Sequence, residues 1–463
     1  MLGIFGIHHK KLCFMSLLAF AGCNWWQKPP TPAQEEVHQQ QTHYTKGIVN
    51  YENEKDKSKI RILLNNVDIS NFPAEVRISC TVVDSFGNHV TNLAPPYNSR
   101  NGKLWKSVVE VWADSTRHPI KGWQVREVRD HDAPPFTSAL VVDYSGSMVG
   151  DVSFLDSAVT KAVTFLRPQK DDYGVVQFDH RVFTPVTVTS NPKAIEKLMS
   201  FKELGGATAF YDGSLRGLNG ISQSNKTPIG VLFTDGWDNS SFGSADDVIV
   251  QARKISAHLF VIGFGGANRE ILQALAEQTG GKVYFPSQAS ELSDIFEEIY
   301  RVMKAHYVIT YKTQARGENR RRIEVALELE KDNPIVGDRP YYLKPEPIAA
   351  GKRSFVVLFE TAKSAIRPEY MEPLERIAAL LKNNPGQIAL VRGHTDSYDT
   401  PRRNLRLSKR RAVAVQKALQ KAGVAMNQIA KVEALGETEL FHKDDRSNDW
   451  KAKENRRTEI ILL

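Results

Sequence analysis

The sequence predicts a multi-domain chain. A β-sandwich-like module comes first, then a doubly wound, Rossmann-like α/β domain, then a C-terminal α+β domain. Three observations carry this. At 463 residues the chain exceeds what a single hydrophobic core organises. Thr137-Ser138-Ala139-Leu140-Val141-Val142 is a largely apolar run of the kind buried on both faces of a parallel sheet, and strand and helix patterns alternate after it to about Met303. From Phe355 the order changes to β-α-β-α-β-β. With 41% hydrophobic and 25% charged residues, the composition is that of globular domains and excludes a polytopic membrane protein.

The front of the chain reads as targeting sequence. His8-His9-Lys10-Lys11 is a basic start, and Leu12 to Ala21 is an apolar stretch too short to span a bilayer, giving a signal peptide over residues 1–22. Phe20-Ala21-Gly22-Cys23 resembles the lipobox of bacterial lipoproteins, with Phe20 where Leu is usual. The resemblance implies cleavage before Cys23 and lipidation of that residue. Asn24, in place of the Asp that retains lipoproteins at the inner membrane, implies the outer membrane. Residues 23–46, with Pro29-Pro30-Thr31-Pro32 and Gln39-Gln40-Gln41, hold too little apolar surface to fold and read as a disordered tether. Of the other cysteines, Cys13 leaves with the signal and Cys80 sits in an alternating strand pattern, so no internal disulfide is expected.

Residues 47–136 are strand-like. Ile60 to Leu64, Glu75 to Val83, Ser107 to Trp112 and Trp123 to Val128 are separated by turn chemistry such as Asp84-Ser85-Phe86-Gly87-Asn88 and Asn101-Gly102. Short, evenly spaced strands predict a sandwich. A second strand-rich piece, 305–344, reads as a hairpin-like pair, Ala305 to Lys312 and Arg321 to Glu330, around a polar turn. These strands either complete the first module, making the central domain an insertion, or extend the central domain.

In the central domain, 137–304, the strand ends carry the chemistry. Asp143, Ser145 and Ser147 offer three hard oxygens at alternate positions after the first strand. Gly205-Gly206-Ala207-Thr208 adds a hydroxyl before a helix, and Ile229 to Phe233 runs into Thr234-Asp235-Gly236, a second carboxylate at a strand end. Ligands of doubly wound sheets sit beyond the carboxyl ends of the strands. Two carboxylates with hydroxyls suit a hard divalent cation, most simply Mg²⁺, with Mn²⁺ or Ca²⁺ as alternatives. This set resembles the metal-ion-dependent adhesion site of von Willebrand factor A-type domains, which implies that Asp143, Ser145, Ser147, Thr208 and Asp235 ligate a metal whose open position takes a partner's carboxylate. Asp238 reads as an exposed turn carboxylate. Phosphotransferases that use a strand-end Asp need a second carboxylate where this chain has Ser145, and no histidine falls in the strand-end loops to activate a serine, so no enzyme is expected.

A Pro/Gly/Ala linker, 345–352, leads to the C-terminal domain, 353–463. Gly393-His394-Thr395-Asp396, Asn404, Leu407-Ser408, Arg411-Ala412 and Asn455-Arg456-Arg457 resemble the OmpA-like peptidoglycan-binding domain. The resemblance implies that Asp396 pairs with the ammonium and Arg411 with the carboxylate of the diaminopimelate in the stem peptide, beside Thr395 and Asn404. A zwitterionic end needs one such acceptor and one forked donor. The chain departs from the pattern at Asp399-Thr400, where a glycine is usual, and in the highly charged stretch Phe441 to Lys453. From Phe355 onward 20 Lys and Arg face 14 Asp and Glu, so most of the net charge of +8 lies here. The basic helix has no interleaved aromatics, which argues against nucleic acid and for an anionic wall polymer.

Together these features predict a non-enzymatic lipoprotein, anchored through Cys23 in the outer membrane and facing the periplasm. It would hold peptidoglycan with one domain and a protein ligand with the other. The alternatives are a surface adhesin and a wall-anchored motor stator; a stator needs a transmembrane helix with a carboxylate, which Leu12 to Ala21 does not supply.

Overall fold

The computed structural model describes residues 47–463 apart from 55, 201–205, 315–316, 349–353 and 446–448. The expected signal peptide, Cys23, the expected tether and Gly205 lie outside the described residues.

Seven strands precede the central domain: β1 (Ile48–Asn50), β2 (Arg61–Asp68), β3 (Val76–Val83), β4 (His89–Thr91), β5 (Trp105–Trp112), β6 (Arg117–Pro119) and β7 (Gln124–Val128). In β3 the period of two is plain, with Val76, Ile78, Cys80 and Val82 fully buried and Arg77 exposed. Burial pushes the Cys80 thiol well above its usual range, so it behaves as a small apolar residue.

The central domain follows as β8 (Phe136–Asp143), α1 (Val152–Thr164), β9 (Asp172–Phe178), β10 (Val182–Thr189), α2 (Phe210–Ile221) and β11 (Thr227–Thr234). It continues with α3 (Ala245–Lys254), β12 (His258–Gly263), α4 (Arg269–Gln278), β13 (Lys282–Tyr284) and α5 (Leu292–Lys304). The sheet order is β10-β9-β8-β11-β12-β13, parallel except for the antiparallel edge strand β10. Every residue of β8 is buried, and its side chains alternate between two cores. Leu140 and Val142 pack with Ile295 and Ile299 of α5, while Ala139 and Val141 pack with Leu218 of α2 and Val248 of α3. Gly217 lets α2 lie close on β8, because a Cβ there would stand 2.6 Å from Val141 Cγ2. The chain passes from β8 to β9 on one side and later to β11 on the other, so β8 and β11 flank the topological switch point where such sheets bind ligands.

Three strands then return to the first module: β14 (His306–Tyr311), β15 (Arg320–Glu330) and β16 (Asn333–Tyr342). β14 lies between β3 and β7 in one sheet, whereas β15 lies between β5 and β16 in the other. β14 and β15 are therefore not the hairpin-like pair expected from sequence. The polar segment between them crosses from sheet to sheet, and the hairpin is β15–β16. Trp105, Ile78, Tyr307, Ile323 and Tyr341 fill the space between the sheets.

This core also buries two histidines. Burial holds His89 down to about 3, with Arg129 and Arg301 adding repulsion. Burial likewise holds His306 down to about 4, against a small pull from Asp132 and with Arg126 opposing protonation. Both are neutral when folded and titrate near 6.5 when unfolded. Above that pH neither affects stability. Below it the unfolded chain takes up protons that the fold refuses, so stability falls by about 1.4 kcal/mol per pH unit per histidine until the folded value is reached. Urea midpoints at pH 7 and pH 5 should show this loss, and His89→Leu should reduce the slope; an unchanged slope would refute the assignment.

The C-terminal domain comprises β17 (Ser354–Leu358), α6 (Met371–Asn383), β18 (Ala389–His394), α7 (Pro401–Lys421), β19 (Ile429–Gly436), α8 (Asp449–Asn455) and β20 (Arg457–Leu462). Its sheet order is β17-β20-β18-β19. The short helix α8 inside the charged stretch is an addition to the expected β-α-β-α-β-β order. On α7, Asn404, Ser408, Arg411, Ala412, Val415 and Leu419 recur at helical spacing and are buried, which turns Asn404 and Arg411 inward on an otherwise basic helix. Among the described residues no helix is long and apolar enough to cross a membrane.

Candidate functional sites

Asp143 ends β8 fully buried. Its Oδ1 accepts from the backbone N–H of Ser145 at 2.8 Å and its Oδ2 from the Thr234 hydroxyl at 2.7 Å. Ser145 Oγ and Ser147 Oγ lie 3.1 Å apart, and the Ser147 hydroxyl donates to Asp235 Oδ1 at 2.8 Å. The N–H of Gly146 donates to the carbonyl of Gly206 at 3.3 Å, tying this loop to the one that carries Thr208. Thr208 is held by Asn239, whose Oδ1 accepts the Thr208 N–H at 2.8 Å and whose N–H donates to the Thr208 carbonyl at 3.0 Å. A Cβ at Gly236 would stand 3.6 Å from Thr208 Oγ1, so the third loop runs directly beside that hydroxyl. The structure thus brings Asp143, Ser145, Ser147, Thr208 and Asp235 to one place from three loops.

Neither carboxylate takes part in an ion pair among the described residues. Burial pushes Asp143 up to about 6, opposed by the bonds from Ser145 and Thr234. Asp235 is held well above the carboxylate range, by burial first and by the charge of Asp143 second. Two buried acids with hydroxyl neighbours and no counter-charge suit a hard divalent cation, which would discharge the repulsion and use oxygen donors alone. No group of three His, Cys, Asp or Glu converges among the described residues, so the hydroxyls are essential to such a shell.

Sequence reasoning missed the supports. Thr234 and Asn239 carry no signal of their own outside this geometry. Asp238 is not an exposed turn carboxylate; it is partly buried, accepts from the Tyr211 N–H at 3.0 Å and the Ser241 hydroxyl at 2.5 Å, and anchors the start of α2. Burial raises it to about 7. A histidine does stand at a strand end: His180 follows β9 and stacks on Tyr370 at 5.4 Å, directed at the C-terminal domain.

In the C-terminal domain, Arg411 is fully buried and donates to three carbonyls, Lys363 from Nε at 2.9 Å, His394 from Nη1 at 2.9 Å and Glu360 from Nη2 at 3.1 Å. No carboxylate pairs with it among the described residues, and burial pushes it down to about 10, against the pull of Asp396. Asp396 Oδ2 accepts from Arg456 Nη1 at 3.0 Å. The Asn404 amide donates to the carbonyls of Asp396 at 3.2 Å and Asp399 at 3.1 Å and to the Glu437 carboxylate. Thr395 is buried with its hydroxyl unpaired, its N–H bonding to the Gly436 carbonyl at 2.9 Å. All four expected residues meet, and Arg456 joins them. The missing glycine matters little, because none of residues 396–400 adopts a positive φ. Asn455 organises the charged stretch, accepting from Phe441 and His442 and donating to Asp445, which in turn accepts from Ser397 beside Asp396.

Comparisons agree with this division. Residues 139–298 match the von Willebrand factor type A domain and residues 358–456 the OmpA family. An uncharacterized protein of Synechocystis is 27% identical over 226 residues, 45% of this chain and 52% of that protein. The peptidoglycan-associated lipoprotein of Pasteurella multocida is 37% identical over 81 residues, 18% of this chain and 54% of that one. Proximal thread matrix protein 1 of the mussel byssus, solved with a zinc-occupied metal-ion-dependent adhesion site, is 20% identical with a TM-score of 0.34, covering 42% of this chain and 50% of that one. The chain spans about half the length of the curated relatives it matches. Neither matching family is described as an enzyme.

Proposed function

We propose that this chain, which joins a von Willebrand factor type A domain to an OmpA family domain, is a lipid-anchored envelope protein that binds peptidoglycan and holds a protein partner through a divalent cation. Cys23 carries the lipid, residues 23–46 span from the outer membrane, and both domains face the periplasm. The observation that carries the wall-binding half is the juxtaposition of Asp396 with Arg411, one acidic and one forked cationic group among buried neighbours. The ammonium of a diaminopimelate end takes Asp396 in place of Arg456, and its carboxylate takes the charge of Arg411, which carbonyls orient but do not neutralise. Thr395 and Asn404 line the same pocket, and the unpaired Thr395 hydroxyl gains a partner there.

In the central domain Asp143, Ser145, Ser147, Thr208 and Asp235 hold the cation, Mg²⁺ by preference of oxygen-only donors and Mn²⁺ or Ca²⁺ as substitutes. The bound ion supplies a positive point charge that a carboxylate can complete. Thr234 and Asn239 set the positions of Asp143 and Thr208.

Co-sedimentation with purified sacculi tests the wall-binding half. Asp396→Asn keeps the shape of the pocket and removes its charge, and retention should fall at least tenfold against the unaltered chain. Arg411→Ala should also fail, although its three carbonyl bonds make it the less conservative change. Equal retention of Asp396→Asn would overturn this reading.

A further inference from the structure

The strand-end face of the central domain, where a partner would approach the cation, carries the C-terminal domain of the same chain. Ala207, beside Thr208, belongs to the hydrophobic core of that domain and is 3% exposed. The Val356 N–H of β17 donates to the Asn239 carbonyl at 3.0 Å, and Asn239 is the residue that holds Thr208. Phe242, on the loop that follows Asp235, lies 5.4 Å from the Phe355 ring, with the Arg376 guanidinium 3.6 Å above it. Helix α8 packs against the turn Gly146–Gly150, which carries Ser147. All three loops of the site therefore bear on the C-terminal domain, and Thr208 and Asp235 are only 5% and 9% exposed.

The contact is fitted. A Cβ at Gly206 would stand 1.9 Å from Leu358 Cδ1, and the three nearest atoms it would meet all belong to Leu358. What excludes a side chain at Gly206 is thus the C-terminal domain. β17 is also the edge strand of its sheet, paired with β20 alone. The bond from Val356 to Asn239 covers part of an edge that would otherwise stand open.

We propose that the C-terminal domain shuts the adhesion face: in the arrangement described no protein partner reaches the cation, and one binds only when β17 and α8 lift from the three loops. This rests on the metal reading above and adds its regulation. A partner's apparent Kd rises by the reciprocal of the open fraction, so a chain about 1% open binds about a hundredfold more weakly than its site allows. The closing elements run into the wall-binding pocket, since the Phe359 N–H donates to the Arg456 carbonyl at 2.8 Å and Arg456 pairs with Asp396.

Two readouts on the full chain test this. Amide exchange of Ser354–Leu358 reports docking, because the Val356 N–H finds its acceptor in the other domain. Stripping of bound Mn²⁺ by excess EDTA reports access, because that polycarboxylate must reach the ion as a partner would. Gly206→Val drives a side chain into Leu358, and Phe242→Ala removes the ring that packs on Phe355. The two act on different loops, so if one fails to fold the other decides. In the parent the Val356 amide should be protected and stripping slow. Either variant should speed both processes about tenfold or more and leave the Mn²⁺ Kd within about threefold of the parent, because all five ligands remain. An unprotected Val356 amide in the parent would overturn the docking. Stripping that neither variant accelerates would overturn the barrier. In both cases Mn²⁺ binding that Asp143→Asn abolishes leaves the metal reading standing. A parent that binds no Mn²⁺ would take the metal reading and this proposal down together.

Discussion

Asp143→Asn should abolish the thermal shift that a divalent cation gives this protein while leaving the metal-free chain no less stable than the parent. The second half separates a ligand from a scaffold residue. Asp143 is buried beside Asp235 with no cationic partner among the described residues, and its carboxyl is raised to about 6 by that burial. In metal-free protein it therefore opposes folding through desolvation and through repulsion of Asp235. An amide of the same shape keeps an acceptor for the Ser145 N–H and removes the charge. The cation, by contrast, loses one of two neutralising carboxylates. At a concentration 100 times its Kd, an ion that binds only the folded state adds about 2.7 kcal/mol, or roughly 5–10 °C in Tm for a domain of this size. Melting curves in EDTA and in MgCl₂ would show both effects. A metal shift that survives the substitution would show that the site is misread. A metal-free variant that melts far below the parent would show instead that Asp143 is there for the fold.

How much of this was legible beforehand depends on what a pattern in sequence reports. The β8 run and its trailing Asp143, Ser145 and Ser147 were readable because burial on both faces leaves an unbroken apolar string, and the sheet brings β11 beside it with Asp235 at the same end. The alternation in β14 and β15 was readable too, but it reports that one face is buried and not against which strand, so the two were joined to each other when each belongs to a different sheet. β10 passed unnoticed because an edge strand exposes much of both faces and its burial pattern is correspondingly weak. Asn404 and Arg411 could be placed by resemblance, whereas Arg456 could not be assigned a role, since its partner Asp396 lies 60 residues away. The packing of β17 and α8 on the strand-end loops left no trace at all. Contacts between units distant in sequence impose no period, and Gly206 or Ala207 looks like any loop residue until Leu358 is seen against it.

Glu110→Ala should be among the most destabilising single changes in this chain, although it touches neither proposed binding site. Glu110 on β5 is buried and accepts from Arg321 Nη1 at 2.9 Å, from the Thr313 hydroxyl at 2.9 Å and from the Tyr341 hydroxyl at 2.7 Å. Arg321 is itself fully buried, between the rings of Phe72 and Trp112. Removing the carboxylate leaves that guanidinium's charge buried without its counter-ion, facing the carbonyls of Gln314 and Glu318 and the Thr313 hydroxyl, a loss of about 3–5 kcal/mol. The position of the pair magnifies its consequence. Glu110 precedes the central domain, whereas Thr313, Arg321 and Tyr341 follow it, and the chain leaves the sandwich at Val128 and re-enters at His306, which face each other across β7 and β14. The ion pair thus joins the two halves of one sandwich around the 177 residues between Val128 and His306, whose loop-closure entropy opposes the pairing. Glu110→Gln, which keeps the hydrogen-bond acceptors, should cost less than Glu110→Ala, and Glu110→Leu combined with Arg321→Met should recover much of the loss by removing both charges together. Urea unfolding of the full chain would rank the three variants. If the double variant falls as far as Glu110→Ala, packing and not the stranded charge sets the cost.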